Sequence, residues 1–195
     1  RGRNAQMQAR PDAPASVYAA DFDRDGRLEP ILSHYLQGAA YPAYWRDPLA
    51  EAIPPLTGAF PTYAVYAEAT TDEVLARLEA GALLHLEVHT FTTSLFDRQT
   101  DGVFRRHDLP VEAQFAPVRG ILVHDLDSDE RPDLLLVGND FTVRPQWGQA
   151  NAGKGLVLRN RDDLTFEPLL PRASGFFAPY DARGLARIAT PAGPL

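Results

Sequence analysis

Apolar residues in this chain fall in short runs interrupted by acidic turns, glycines and prolines, a pattern that predicts many short β-strands rather than a few long helices. The clearest case surrounds Asp21-Phe22-Asp23-Arg24-Asp25, with Val17 before it and Ile31-Leu32 after it. A second stretch of the same kind, Asp125-Leu126-Asp127-Ser128-Asp129, has Ile121 before it and Leu135-Leu136 after it. The offset is 125 − 21 = 104 residues, and it superimposes Asp21, Asp23, Asp25 and Glu29 on Asp125, Asp127, Asp129 and Asp133. The repeated unit is therefore strand, acidic loop, strand. A hairpin pattern follows each unit: Leu95-Phe96-Asp97-Arg98 and Val103-Phe104-Arg105 flank Thr100-Asp101-Gly102, while Val157-Leu158-Arg159-Asn160 and Leu164-Thr165-Phe166 flank Arg161-Asp162-Asp163. Each repeat then carries four predicted strands.

Between the first loop and its hairpin lies an insertion of different chemistry, residues 39–80. Pro42, Pro48, Pro54, Pro55 and Pro61 are expected to break it into short turns. Thr70 and Glu73 stand at capping-box spacing ahead of Val74-Leu75-Ala76-Arg77-Leu78-Glu79, which predicts one helix there. Residues 83–91 alternate well enough to form a strand.

Carboxylates at alternate positions of a tight loop can all turn inward onto one hard cation, and calcium takes six to eight oxygen ligands. The first loop offers Asp21, Asp23, Asp25, the carbonyl of Arg27, and Glu29 from the start of the next strand. Its counterpart offers Asp125, Asp127, Asp129, the carbonyl of Arg131, and Asp133. An EF-hand loop also begins Asp-x-Asp-x-Asp-Gly, but it needs a bidentate Glu at its twelfth position, where this chain has Leu32 and Leu136. Strand-like segments follow both loops, so inter-strand calcium sites are expected instead. The two differ in one respect: Gly26, which permits a sharp turn, is replaced by Glu130.

Composition narrows the remaining possibilities. Among 195 residues, 26 acidic against 19 basic give a net charge of −7, which argues against a nucleic-acid partner because phosphate contacts need clustered Lys and Arg. No apolar run is long enough to insert into a membrane, and Arg1-Gly2-Arg3-Asn4 carries no apolar signal core. With no Cys, disulfides and thiolate metal sites are excluded.

His85, Glu87 and His89 share one face of the strand predicted over residues 83–91, an arrangement that can hold zinc but also suits a polar outer face opposite Leu84, Leu86 and Val88. His34, His107 and His124 stand alone in the sequence. No Gly-x-Ser-x-Gly elbow, phosphate loop or dinucleotide fingerprint is present, and Gly153-Lys154-Gly155 lacks Walker spacing. No nucleophile is visible, and the chain is read as non-enzymatic. Tyr41, Tyr44, Trp45, Phe60, Tyr63 and Tyr66 concentrate aromatic character in the insertion, suited either to a small satellite core or to stacking against a sugar or protein partner.

The acidic loops, with Pro132-Asp133-Leu134-Leu135-Leu136-Val137-Gly138-Asn139 after the second, resemble the FG-GAP or VCBS repeats of integrin α-like β-propellers. Tyr41-Pro42, Arg46-Asp47, Leu109-Pro110, Ala113-Gln114-Phe115, Gly155-Leu156-Val157-Leu158 and Ser174-Gly175-Phe176 further resemble the exported bacterial group related to ASPIC/UnbV and cartilage acidic protein. The resemblance implies a mainly β fold of four-stranded antiparallel propeller blades, an extracytoplasmic location and an adhesion or ligand-binding role with a protein or glycan partner. Since such proteins are longer, the chain is expected to be a fragment of a larger propeller. On that reading, residues 1–38 start a first blade, 39–80 are the insertion, 81–118 complete that blade, 119–174 form a second, and 175–195 begin a third. Asp181-Ala182-Arg183-Gly184 departs from the acidic pattern, so no calcium is expected in the third copy. Open blade edges would leave room for self-association. Two alternatives stand beside this reading: part of a carbohydrate-active enzyme with carboxylates in the insertion or in missing blades, and a structural component of a cell-surface assembly.

Overall fold

The structure is a computed structural model that describes residues 4, 5, 7–79, 81–143, 148–190, 193 and 194. Arg1, Gly2 and Arg3, noted above for lacking a signal core, lie outside the described residues. The fold is mainly β, built on antiparallel four-stranded sheets. The chain divides into two compact units, Met7–Phe91 and Thr92–Leu195, the latter joined by Arg1–Gln6.

In the first unit, β1 (Ala15–Ala20), β2 (Glu29–Leu36), β3 (Ala39–Pro42) and β4 (Leu84–Val88) form one sheet in the order β3-β2-β1-β4. β2 and β3 are joined by Gln37 and Gly38, both at positive φ (52° and 91°), as a two-residue hairpin turn requires. The sequence reading placed Ala39–Pro42 in the insertion, but these residues complete the hairpin. Four helices follow: α1 (Arg46–Ala52), α2 (Pro55–Ala59), α3 (Tyr63–Glu68) and α4 (Thr71–Leu78). The expected turns are thus short helices. Pro55 opens α2 and Pro48 sits in the first turn of α1, where a missing N–H costs no helical hydrogen bond.

The helices cover one face of the sheet. Ala20, Phe22 and Ile31 pack with Leu49, Ile53, Leu56, Phe60, Tyr66, Val74 and Leu78, and the Ser33 and Thr71 hydroxyls meet at 2.7 Å. Since fully burying one such side chain contributes about 1.5–3 kcal/mol, this core is what holds helices too short to persist alone. α4 has the predicted capping box: Glu73 N–H donates to the Thr70 hydroxyl, and Thr70 N–H donates to the Glu73 carboxylate at 2.8 Å.

β4 departs from expectation. Tyr18 pairs with His85 and Ser16 with Glu87, so His85 and Glu87 share the sheet face that carries Tyr18 and Ile31. His85 stacks on Tyr18 at 4.3 Å. Leu84, Leu86 and Val88 are 50%, 57% and 45% exposed, and the His85 and Glu87 side chains are exposed too, so neither face of this strand is buried. An edge strand has cover on one flank only, which alternation in the sequence does not reveal.

The second unit holds β5 (Ser94–Arg98), β6 (Phe104–Asp108), β7 (Gly120–His124), β8 (Asp133–Val137), β9 (Leu156–Asp162) and β10 (Thr165–Leu169). β7 to β10 form an antiparallel sheet in the order β10-β9-β8-β7, each strand beside its neighbour in sequence. Leu134, Leu136, Leu156 and Leu158 of this sheet pack with Leu109 and Ala113. Gln114, 1% exposed, ties the connection down by accepting from Thr93 N–H and donating to the Thr93 and Leu109 carbonyls. The hairpin β5–β6 forms where predicted, but it stands as its own two-stranded sheet instead of completing the first one. β4 occupies the fourth place there. Beyond β10 come α5 (Pro171–Ser174) and a short pair, β11 (Ala189–Thr190) with β12 (Gly193–Pro194).

Candidate metal centres

The two acidic loops connect equivalent strands in equivalent register. Val17 pairs with Leu32 and Ile121 with Leu136, where 121 − 17 and 136 − 32 both equal 104. Ala20 opposite Glu29 and His124 opposite Asp133 close the two loops at the same point. Each loop therefore starts from an anchored strand pair, and its last carboxylate is carried by the first residue of the returning strand.

Inside the loops, the same hydrogen bonds recur. Asp21 accepts from Asp25 N–H at 2.9 Å and from Gly26 N–H at 3.0 Å; Asp125 accepts from Asp129 N–H at 3.1 Å and from Glu130 N–H at 2.9 Å. Glu29 accepts from Phe22 N–H at 3.0 Å, and Asp133 from Leu126 N–H at 2.9 Å. The shorter Asp at the second site reaches the same donor as the longer Glu at the first. Arg24 and Gly26 have φ of 64° and 88°, matched by 63° and 66° at Ser128 and Glu130. Glu130 thus takes up the left-handed turn that the sequence reading tied to glycine, at a cost of about 1–2 kcal/mol for an L-residue.

These bonds curl each loop so that some carboxylates converge and others do not. Asp21, Asp23 and Glu29 each place an oxygen within 4.8 Å of the others, as do Asp125, Asp127 and Asp133. Asp25 and Asp129 belong to neither group. Asp25 accepts from Arg27 N–H at 2.8 Å, and Asp129 from Arg131 N–H at 2.9 Å, so both brace the turn from outside the convergent groups. Arg27 and Arg131 are exposed residues whose N–H groups cap these carboxylates. The Asp129 carboxyl is held below its ordinary range chiefly by the Arg131 N–H, helped by the Arg131 guanidinium 2.5 Å away.

The surroundings distinguish the sites. Asp133 is 1% exposed and its second oxygen accepts from Asn160 N–H at 2.8 Å, which fastens the loop to β9. Arg131 Nε donates back to the Asn160 carbonyl at 3.2 Å, and Arg159 Nη1 lies 3.6 Å from Asp127. Arg159 and Asn160 were legible only as hairpin residues, because their role depends on β9 lying beside β8. At the first site, no Lys, Arg or His among the described residues pairs with Asp21, Asp23 or Glu29.

The donor set fits a hard cation. Both groups are all-carboxylate, with no imidazole or thiol in either, and oxygens bound to one calcium at about 2.4 Å lie at most roughly 4.8 Å apart. The strand set His85, Glu87 and His89 fits less well. Glu87 lies between the two imidazoles at 3.6 and 3.5 Å, and His85 is taken up in its stack on Tyr18. No family model, curated protein or solved structure matches the chain.

Proposed function

We propose that both acidic loops are calcium sites and that the chain is a calcium-stabilised repeat scaffold, a segment of a β-propeller of the FG-GAP type whose four-stranded sheets are its blades. The observation that carries this reading is the correspondence of the loops. Two segments 104 residues apart share register, backbone turns, internal hydrogen bonds and a convergent carboxylate triad. A turn needing only Asp side chains as backbone caps would not bring three like charges together twice.

Bound calcium would neutralise those charges. Asp21, Asp23 and Glu29 then join the end of β1 to the start of β2, and Asp125, Asp127 and Asp133 do the same for β7 and β8. Metal affinity and folding are linked, since the liganding geometry exists only in the folded chain. A scaffold of this kind suits an extracytoplasmic setting, where calcium is abundant, and an adhesion or ligand-binding role.

A thermal melt of the full chain with excess chelator and with added calcium tests the proposal. The midpoint should fall in chelator and recover with calcium, and the recovery should shrink in Asp21→Asn and Asp125→Asn variants. An identical melt in chelator and calcium would sink it.

A further inference from the structure

The helical layer of the first unit holds a cavity of about 380 Å³, lined by Tyr41, Tyr44, Trp45, Arg46, Tyr63 and Tyr66. This lies toward the lower end of the span of ligand pockets, about 300–1,000 Å³. Its walls come from separate elements: Tyr41 from β3, Trp45 from the N-cap of α1, and Tyr63 and Tyr66 from α3. The inner wall is fixed. Tyr66 is buried, packs edge-on against Phe60 at 5.7 Å and donates its hydroxyl to the Tyr44 carbonyl at 2.9 Å. Trp45 and Tyr63 are instead 66% and 60% exposed. Of the aromatics in the insertion, Phe60 and Tyr66 pack into the core, while Trp45 and Tyr63 stand open at the cavity.

The charged groups decide what fits there. Arg46 donates to the Phe60 carbonyl at 2.6 Å, the Pro61 carbonyl at 3.4 Å and Asp47 at 2.8 Å, which uses three of its five N–H groups and pairs its charge with a carboxylate. Asp47 also accepts from the Tyr63 hydroxyl. The Arg46 guanidinium lies 5.6 Å over one face of the Tyr63 ring, so a ligand stacks on the opposite face. Because Arg46 and Asp47 offset one another, neither an anion nor a quaternary ammonium finds a net opposite charge there. A neutral ligand with an apolar face and peripheral hydroxyls remains, since aromatic rings with polar tips offer both flat contact and hydrogen bonds.

The geometry points to a carbohydrate-binding cleft in which Trp45 and Tyr63 stack on the C–H faces of a neutral sugar. The cleft deepens the ligand-binding role proposed above and rests on that reading for its purpose, though its chemistry requires no metal. Calorimetric titration of the full chain with cellobiose, maltose, lactose and diacetylchitobiose, in calcium and again in chelator, tests it. At least one disaccharide should bind saturably, and Trp45→Ala and Tyr63→Ala should each weaken binding at least tenfold with an unchanged circular dichroism spectrum. Trp45→Phe should keep most of the affinity. Absence of saturable binding by all four sugars, binding that survives both alanine substitutions, or tetramethylammonium bound in place of sugar would overturn the proposal. Sugar binding in a chain whose melt ignores calcium would uphold the cleft and sink the metal reading alone.

Discussion

At the scale of single residues, the two loops differ most at one backbone position. Gly26 adopts φ 88° without steric cost, whereas Glu130 holds φ 66° against its own Cβ. Glu130→Gly should relieve that strain and stabilise the chain by up to about 1 kcal/mol, seen as a higher melting midpoint; Gly26→Glu should cost about as much. Equal midpoints for Glu130→Gly and the parent chain would mean that the turn is not strained. The residue scale is also where the sequence was most and least legible. Spacing alone pointed to Asp21, Asp23, Glu29 and their counterparts, the carboxylates that converge, because the offset of 104 preserves loop length and register together. It could not separate Asp25 and Asp129 from them, since which carboxylate turns inward is set by backbone curl, and that curl comes from the N–H groups of residues 25–27 and 129–131.

At the scale of elements, α4 shows how far local signals carry. The capping box predicted from Thr70 and Glu73 forms, and hydrogen bonds from Thr70 hold the Glu73 carboxyl below its ordinary range. A carboxyl lowered on folding contributes stability above its unfolded pKa of about 4.3 and loses it as pH falls through the folded value. Glu73→Gln should therefore lower the melting midpoint at pH 7 and do so progressively less in acid, below about pH 4. A deficit of the same size at neutral pH and in acid would show that packing, not charge, explains the loss. Helices α1 to α3 were hidden by their prolines, which mark helix starts here as readily as breaks. The fourth strand of the first sheet was hidden for another reason. Residues 83–91 and the hairpin after them both read as strands, and alternation gives a strand its faces but not its partner.

At the scale of the whole molecule, two units each carry a four-stranded antiparallel sheet with an acidic loop at one strand connection. A proposed calcium scaffold makes a stoichiometric demand on that arrangement, because the loops share their geometry but not their neighbours. Arg159 beside Asp127 already offsets part of the charge at the second site, while the first has no such cation among the described residues. Calcium should therefore bind more tightly at the first loop. The most direct measurement is calorimetric titration of calcium into the chelator-stripped full chain. Two equivalents are predicted, with the tighter one lost in Asp21→Asn and the weaker one in Asp125→Asn. A titration without saturable heat, or one unaffected by both substitutions, would contradict the assignment of these loops as metal centres.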